Sequence, residues 1–527
     1  MYLKKYRSLI LVCVFFALFS GLAAAAPSKG KILFIPHDNR PVSFEQTVAT
    51  VKSLGYEVIV PPAELLGTRD DLGHPDELWK WLQKNAKRAD AAVLSSDSLI
   101  YGSLVGSRKH DYNQADILAR ADKFSSLRAN NPKLSIYVFG SIMRSPRNGA
   151  ASGTEEPSYY AKYGADIFRY TALSDKADTE KLTRSEAREY SDLEKNIPKD
   201  AINDWLGRRQ KNFAASAKLI ELDRQNAFTY LVFGRDDNAP YSQTHKESRL
   251  LAAKGAPLGD TKFQTVAGID ELGMVLLARA ANDISHQIPL VYVRYGTGKG
   301  ADTIPTYSDE TIAQSVHSHL RIAGAIEVPT LKRADLVLLV NTNRNGRTYE
   351  ANDADNTTVL KDNTLYFADM VSYYTGKGYH VGVGDISYAN GADNALMAEL
   401  SKRGLLSKLT SYAGWNTATN STGFAIGQGI MNAQMKDETR KHLLAVRYLD
   451  DWAYQANVRQ SVAGKLSTMT GVGNYGQLDA KKAATVHETA DELQKFAAQK
   501  LPDFKCKSLQ VDFPWNRMFE VSVDTKQ

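Results

Sequence analysis

The decapeptide FGRDDNAPYS at 233–242 sets Arg235 and two adjacent carboxylates, Asp236 and Asp237, directly after the apolar run FTYLV. Neighbouring acids repel each other unless something neutralises or uses them. The next helix is expected to start near Ser242, so neither Asp stands at a cap position. If Arg235 pairs with one of them, that carboxylate stays ionised, while its neighbour in a drier spot has its pKa raised. Such a split is what acid/base catalysis requires. Glu271 is a reserve acid together with Asp270 in GIDELG. Asp270 is also well placed to cap the helix that begins ELGMVLLARAA, with Glu271 favoured in its first turn.

The remaining candidates sit in similar places. PHDNRP offers Asp38 and Arg40, SSDSLIYGSLV offers Asp97 and Tyr101, and LVYVRYG carries Arg294. DISYANGAD holds Asp385, Asn390 and Asp393, and YAGWNTATN holds Trp415, Asn416 and Asn420. Carboxylates, amides and guanidinium groups bond hydroxyls, and an aromatic face covers a sugar ring. The expectation is a polyhydroxylated ligand stacked on Trp415 and Tyr101 and oriented by Asn416, Asn390 and Arg294. Several of these residues have plain structural alternatives. Asp38 can bond its own loop or Arg40, Asp97 can belong to a turn with Gly102, and Asp393 can cap NALMAELSKRG. Asp385 has no helix start close by, so capping explains it poorly.

The elements that must position these residues are short apolar runs separated by helical stretches. Ten strands are expected: 32–36, 57–61, 91–96, 134–140, 228–234, 265–269, 290–296, 335–341, 380–385 and 409–414. Most are apolar at nearly every position, as strands buried on both faces are. The fold class is therefore α/β, with mostly parallel sheets of alternating strands and helices in two lobes or a barrel-like core, plus a helical C-terminal part. In such folds ligands bind beyond the carboxyl ends of the strands, where all the residues named above fall. After Pro41, Ser43 and Gln46 stand at capping-box spacing, with Gly55 closing the helix. Four regions are expected: a signal peptide at 1–25, an N-terminal α/β domain at 31–305 with a helical insertion at 151–226, a second α/β lobe at 306–430, and a helical region at 431–527 with a returning strand.

Lys4, Lys5 and Arg7 precede an apolar run that ends in small residues, the pattern of a secretory signal peptide cleaved after Ala25. The expected location is thus outside the cytoplasm, with no stable membrane span after cleavage. Losing those three basic residues takes the formal charge from +6 to +3. Without a basic block, nucleic acid is not expected as a partner. Cys506 is the one cysteine left, so no internal disulfide can form and a large core must supply stability. No HExxH, paired CxxC or Walker A motif occurs, and His317 and His319 stand two apart on a helix and face different sides. Neither a metal nor a cofactor is expected.

Together PHDNRP, SSDSLIYGSLVGSR, FGRDDNAPYS, GIDELG, DISYANGAD, YAGWNTATNSTG and YLDDWAYQANVR, in this order, resemble the bacterial domain-of-unknown-function family 4127. The likeness runs from about Lys31 to Phe519 and implies a bacterial exported protein, with no catalytic residues to carry over. From the residues, the expected function is a secreted carbohydrate-active hydrolase, a glycoside hydrolase acting on N-acetylated or cell-wall sugars. Asp236 and Asp237 would be its central acids; adjacent acids also suit a substrate-assisted mechanism. An exported binding protein for a sugar or cell-wall fragment is the alternative. A metal-dependent hydrolase, with a hard cation on Asp38, Asp97 or Asp385, is the third reading.

Overall fold

The computed structural model describes residues 28–147, 155–470 and 476–525. The expected signal peptide lies outside the described residues. Among those described, no helix is long and apolar enough to cross a membrane.

Two open parallel sheets form the frame. The first contains β1 (Lys31–Ile35), β2 (Glu57–Ile59), β3 (Ala91–Ser95), β4 (Ser135–Ile142), β5 (Tyr230–Arg235) and β6 (Phe263–Ala267), in the order β2-β1-β3-β4-β5-β6. The second contains β7 (Leu290–Tyr295), β8 (Ile326–Glu327), β9 (Leu336–Asn341), β11 (Val381–Asp385) and β13 (Ser411–Ala413), in the order β13-β11-β9-β7-β8. Interleaved in sequence with the strands of the second sheet, β10 (Tyr349–Glu350) pairs in parallel with β12 (Tyr388–Ala389). Taken from its own first strand, the second sheet repeats the 2-1-3-4-5 order of the first, the doubly wound arrangement with its ligand crevice at the strand ends. No barrel closes. β7, expected in the first domain, pairs with β8 and β9 of the second sheet. The change of sheet therefore falls at helix Leu272–Ser285, ahead of the expected boundary at 305.

Each strand feeds two cores because successive side chains point to opposite faces. Ile32 and Phe34 of β1 join a core shared with Val291 of β7 and Leu338 of β9, and Leu33 and Ile35 join another under the outer helices. Each such side chain, withdrawn fully from water, contributes about 2 kcal/mol. The shared core is filled by helices Leu272–Ser285 and Ala418–Asn432, both buried over most of their surface. They approach closely because Gly427 has no side chain. A Cβ there would meet Met274 Cγ at 2.8 Å.

Helices Tyr160–Thr179, Arg184–Asn196 and Lys199–Arg224 form the excursion between β4 and β5. Helices Asp437–Arg447, Arg459–Thr470 and Lys482–Lys500, with the π-helix Tyr448–Val458 between the first two, make the C-terminal part. The chain returns as the antiparallel hairpin of β14 (Leu509–Asp512) and β15 (Ser522–Thr525). The expected capping box at Ser43 and Gln46 does not form. Helix Glu45–Ser53 has no side-chain cap, Ser43 Oγ lies 3.0 Å from His37 Nε2, and the Gln46 amide donates to Asp450 at 3.1 Å. Both side chains serve tertiary contacts that local spacing cannot reveal.

Candidate functional site

Five strand ends of the first sheet converge on one cavity of about 90 Å³. That is well below the roughly 300–1,000 Å³ of sites that enclose a drug-sized ligand, so it admits one small polar group. The loop after β1 brings Arg40, helix Leu104–Lys109 brings Arg108, and the segments after β4, β5 and β6 bring Arg144, Asp236 with Asp237, and Asp270. Residues from far along the chain close it. Tyr307 comes from the connection into the second half, Asn416, Thr417 and Asn420 from the start of helix Ala418–Asn432, and Arg517 and Phe519 from the last hairpin. Glu155 arrives from the edge of the helical excursion.

At the centre, the chain turns sharply after β5. Asp237 has φ of +32°, in the left-handed region that Asp tolerates better than most residues. The two neighbouring carboxylates thereby reach different arginines. Asp236 Oδ2 accepts from Arg108 Nη2 at 2.5 Å, and Asp237 Oδ2 accepts from Arg144 Nη1 at 3.3 Å. Asp236 is 7% exposed, whereas the Asp237 side chain keeps 29% of its surface open. Burial and then the adjacent Asp236 charge push the Asp237 carboxyl up to about 6 against the pull of Arg144 and Arg108. Arg108 also donates to Glu155 at 2.7 Å, Arg144 to Glu156 at 2.6 Å, and Arg517 reaches both Glu155 and Glu520. Burial opposes ionisation of Glu155, but Arg517, Arg144 and Arg108 outweigh it and hold it well below the usual carboxylate range.

Asp270 anchors the opposite wall. Arg40 donates to its two oxygens at 2.6 and 3.2 Å, and Asn416 Nδ2 donates at 2.9 Å. Burial acts against its charge, yet Arg40 and His37 pull its pKa far below normal. Of the two roles open to Asp270, it lines the cavity and caps no helix. Helix Leu272–Ser285 begins after Glu271 and has no side-chain cap. Asp38 accepts from the backbone and the Nε of Arg40 at 3.0 and 2.9 Å, so Arg40 is held from two sides.

Other expected site residues stand elsewhere. Arg235 still borders the cavity but pairs with neither neighbouring Asp; its guanidinium turns to Asp309, at 2.9 Å, and Glu310. Successive residues at a strand end point to opposite sides, which separates Arg235 from Asp236. Glu271 is sealed off against His319 Nε2 at 2.6 Å, in a space left by Gly423, and does not line the cavity. Trp415 is buried against Phe519, with ring centroids 5.5 Å apart, and Tyr101 is buried in a stack on His110 at 5.0 Å. Neither offers a face to a ligand, which removes the expected stacking surfaces. Arg294 is exposed beside the Tyr292 hydroxyl, and Asp97, which does not line the cavity, accepts from the backbone N–H of Ser141 at 2.8 Å. Asn390 does not line the cavity; its amide donates to Glu350 at 2.8 Å, which in turn accepts from the Tyr307 hydroxyl at 3.0 Å, and its backbone N–H donates to the Asn416 backbone carbonyl at 2.7 Å.

Asp385 and Asp393 form a separate buried cluster at the end of β11. Asp393 caps helix Asn394–Lys402, accepting from Ala395 and Leu396 N–H at 3.0 and 3.3 Å. Asp385 accepts from Asn341, Tyr412 and the Asp393 backbone, and burial with the Asp393 charge lifts it to about 7. A raised carboxyl stabilises the fold fully below its ordinary range, and that contribution is lost as pH rises through about 7. Asp393→Asn keeps the capping oxygen and removes the repelling charge, so it should flatten the fall in stability between pH 5 and pH 8 seen in urea midpoints. Asp393→Ala should flatten that fall equally and lie about 1 kcal/mol below Asp393→Asn at both pH values, because it also loses the cap. Equal pH slopes for the wild type and Asp393→Asn would contradict this account.

Arg108, Glu155, Tyr307, Thr417, Arg517 and Phe519 were not selected from sequence. The one legible trace was WNRMFE, where charges interrupt a strand-like terminal segment. Among the described residues, no group of three or more His, Cys, Asp or Glu is arranged to hold a metal ion.

These features define a doubly wound α/β protein with a closed carboxylate–guanidinium cavity at its strand ends. The chain belongs to the family described as protein of unknown function DUF4127, whose model matches residues 32–524. No curated protein and no solved structure matches it.

Proposed function

We propose that the protein is a carbohydrate-active hydrolase that takes the reacting end of a polyhydroxylated substrate into this cavity. The observation that supports it is the contrast between Asp236 and Asp237. They are adjacent in sequence and share one cavity, but one is ion-paired and buried while the other is partly open with a raised pKa. A partly open carboxyl with a raised pKa beside a buried, ion-paired one supplies an acid and a charged partner. Asp237 delivers a proton to the departing oxygen, and the water that then adds to the sugar carbon returns a proton to it from the open side. Asp236, held by Arg108, faces the positive charge that builds on the sugar ring as the bond breaks.

The reading is tested with aryl glycosides and wild-type protein. Asp237 must carry its proton to act as an acid, and that proton is lost as pH rises through about 6. Turnover is therefore expected, with kcat/KM falling about tenfold per pH unit above that point. Release that is flat from pH 5 to 8 would count against Asp237 as the acid. Binding without turnover of any glycoside would favour the binding-protein alternative, which the construction of the cavity from both halves of the chain also suits.

A further inference from the structure

The charges and free hydrogen-bonding atoms of the cavity restrict what can enter it. Every guanidinium that lines it is already engaged by protein carboxylates. Arg40 is held by Asp38 and Asp270, and Arg235 by Asp309 and Glu310. Arg108, Arg144 and Arg517 share Glu155, Glu156, Asp236, Asp237 and Glu520. Five guanidinium groups thus face nine carboxyl groups. Protonating Asp237 and Glu156, whose pKa burial raises, and charging His37 still leaves the cluster negative. An entering anion would add to that excess without finding an unpaired arginine.

The unused atoms point the same way. Among the described residues, Arg108 is the only side-chain partner of Asp236, through one oxygen, so the other oxygen of this more than nine-tenths buried carboxylate remains open on the cavity. Arg144 likewise engages one oxygen of Asp237. The Asn416 amide nitrogen is spent on Asp270, which leaves its carbonyl oxygen as the available group. The lining therefore presents unused carboxylate and amide oxygens beside guanidinium groups that carboxylates already hold. Phe519 and Tyr307 add aromatic rings to the same wall. An ammonium group has three donors, no acceptor and a positive charge, and it is attracted to aromatic faces.

We propose that the cavity recognises a protonated primary amine carried on a polyhydroxylated ring, which makes the ligand an amino sugar with its amine free rather than acetylated. This rests on the carbohydrate reading above and sharpens its substrate class. The ammonium lies between the open oxygens of Asp236 and Asp237, with ring hydroxyls donating to the Asn416 carbonyl.

The test is calorimetric titration of the whole protein near neutral pH with glucosamine, N-acetylglucosamine, glucose and glucuronate as probes. Glucosamine is expected to bind at least about tenfold tighter than glucose or N-acetylglucosamine, with glucuronate weakest. Asp236→Asn and Asp237→Asn should each shrink that preference, and a melting scan of both variants separates loss of recognition from loss of fold. Binding of the neutral or acidic sugars as tight as glucosamine, or no glucosamine binding at tens of millimolar, overturns the proposal. A glucosamine preference with no turnover of any glycoside leaves this inference standing and removes the hydrolase reading. Turnover of neutral or acetylated glycosides without that preference does the reverse.

Discussion

Asp237→Asn is expected to lower kcat by about a hundredfold or more on any glycoside the wild type cleaves, because the variant keeps the shape of the acid and loses its proton. The descending limb of the pH profile above about 6 should vanish with it, since that limb belongs to the Asp237 carboxyl. KM should change little. The fold should hardly notice the change: the one ion pair lost, to Arg144, is 3.3 Å long, and 29% of the side chain is open to solvent. Pairs of that kind contribute at most about 1 kcal/mol, and relief of repulsion from Asp236 offsets part of it. A kcat within a few-fold of wild type, with the same pH profile, would remove Asp237 from the chemistry. Because Asn also changes the charge of the cavity, the pH profile is the decisive readout; electrostatics alone would shift the limb without deleting it.

Arg108→Met should have the largest effect on stability. Arg108 is 2% exposed and donates to Glu155 at 2.7 Å and Asp236 at 2.5 Å, with Glu156 4.0 Å from its Nε. Methionine fills much of the same volume, but it leaves Glu155 and Asp236 buried with less compensation. Removing one partner of a buried ion pair costs about 3–5 kcal/mol, more than the pair itself contributes, because the survivor cannot recover its water. Urea midpoints should show this loss. Adding Glu155→Gln to Arg108→Met should recover a measurable part of it, since the two residues are in contact and their effects do not add. A single-variant loss below about 1 kcal/mol would mean that water reaches the cluster freely and that the cavity is wetter than its geometry implies.

How much of this was legible beforehand differs sharply between backbone and site. All ten expected strands form, within about two residues at most ends, because a strand buried on both faces must be apolar throughout and that signature is local. The missed strands, Ile326–Glu327 and the pair Tyr349–Glu350 with Tyr388–Ala389, are two residues long, too short for any period to register. The N-cap of helix Gln243–Gly255 at Ser242 and the cap at Asp393 were readable for the same local reason. Local spacing could not separate a cap from a site residue at Asp270, because its partners, Arg40 and Asn416, lie 230 and 146 residues away.

By itself, then, the sequence determined the alternation of strands and helices, the family, and the presence of carboxylates, amides and arginines beyond the strand ends. Tertiary structure alone decided which of those groups meet. It turned Arg235 away from its own neighbours, buried Trp415 and Tyr101 in packing, sealed Glu271 against His319, and brought Arg517 from the far end of the chain to Glu155. The physical reason is range. Strand and cap preferences are set by a residue and its near neighbours, whereas the state of a buried charge depends on every ion within a few ångströms, wherever in the sequence it originates.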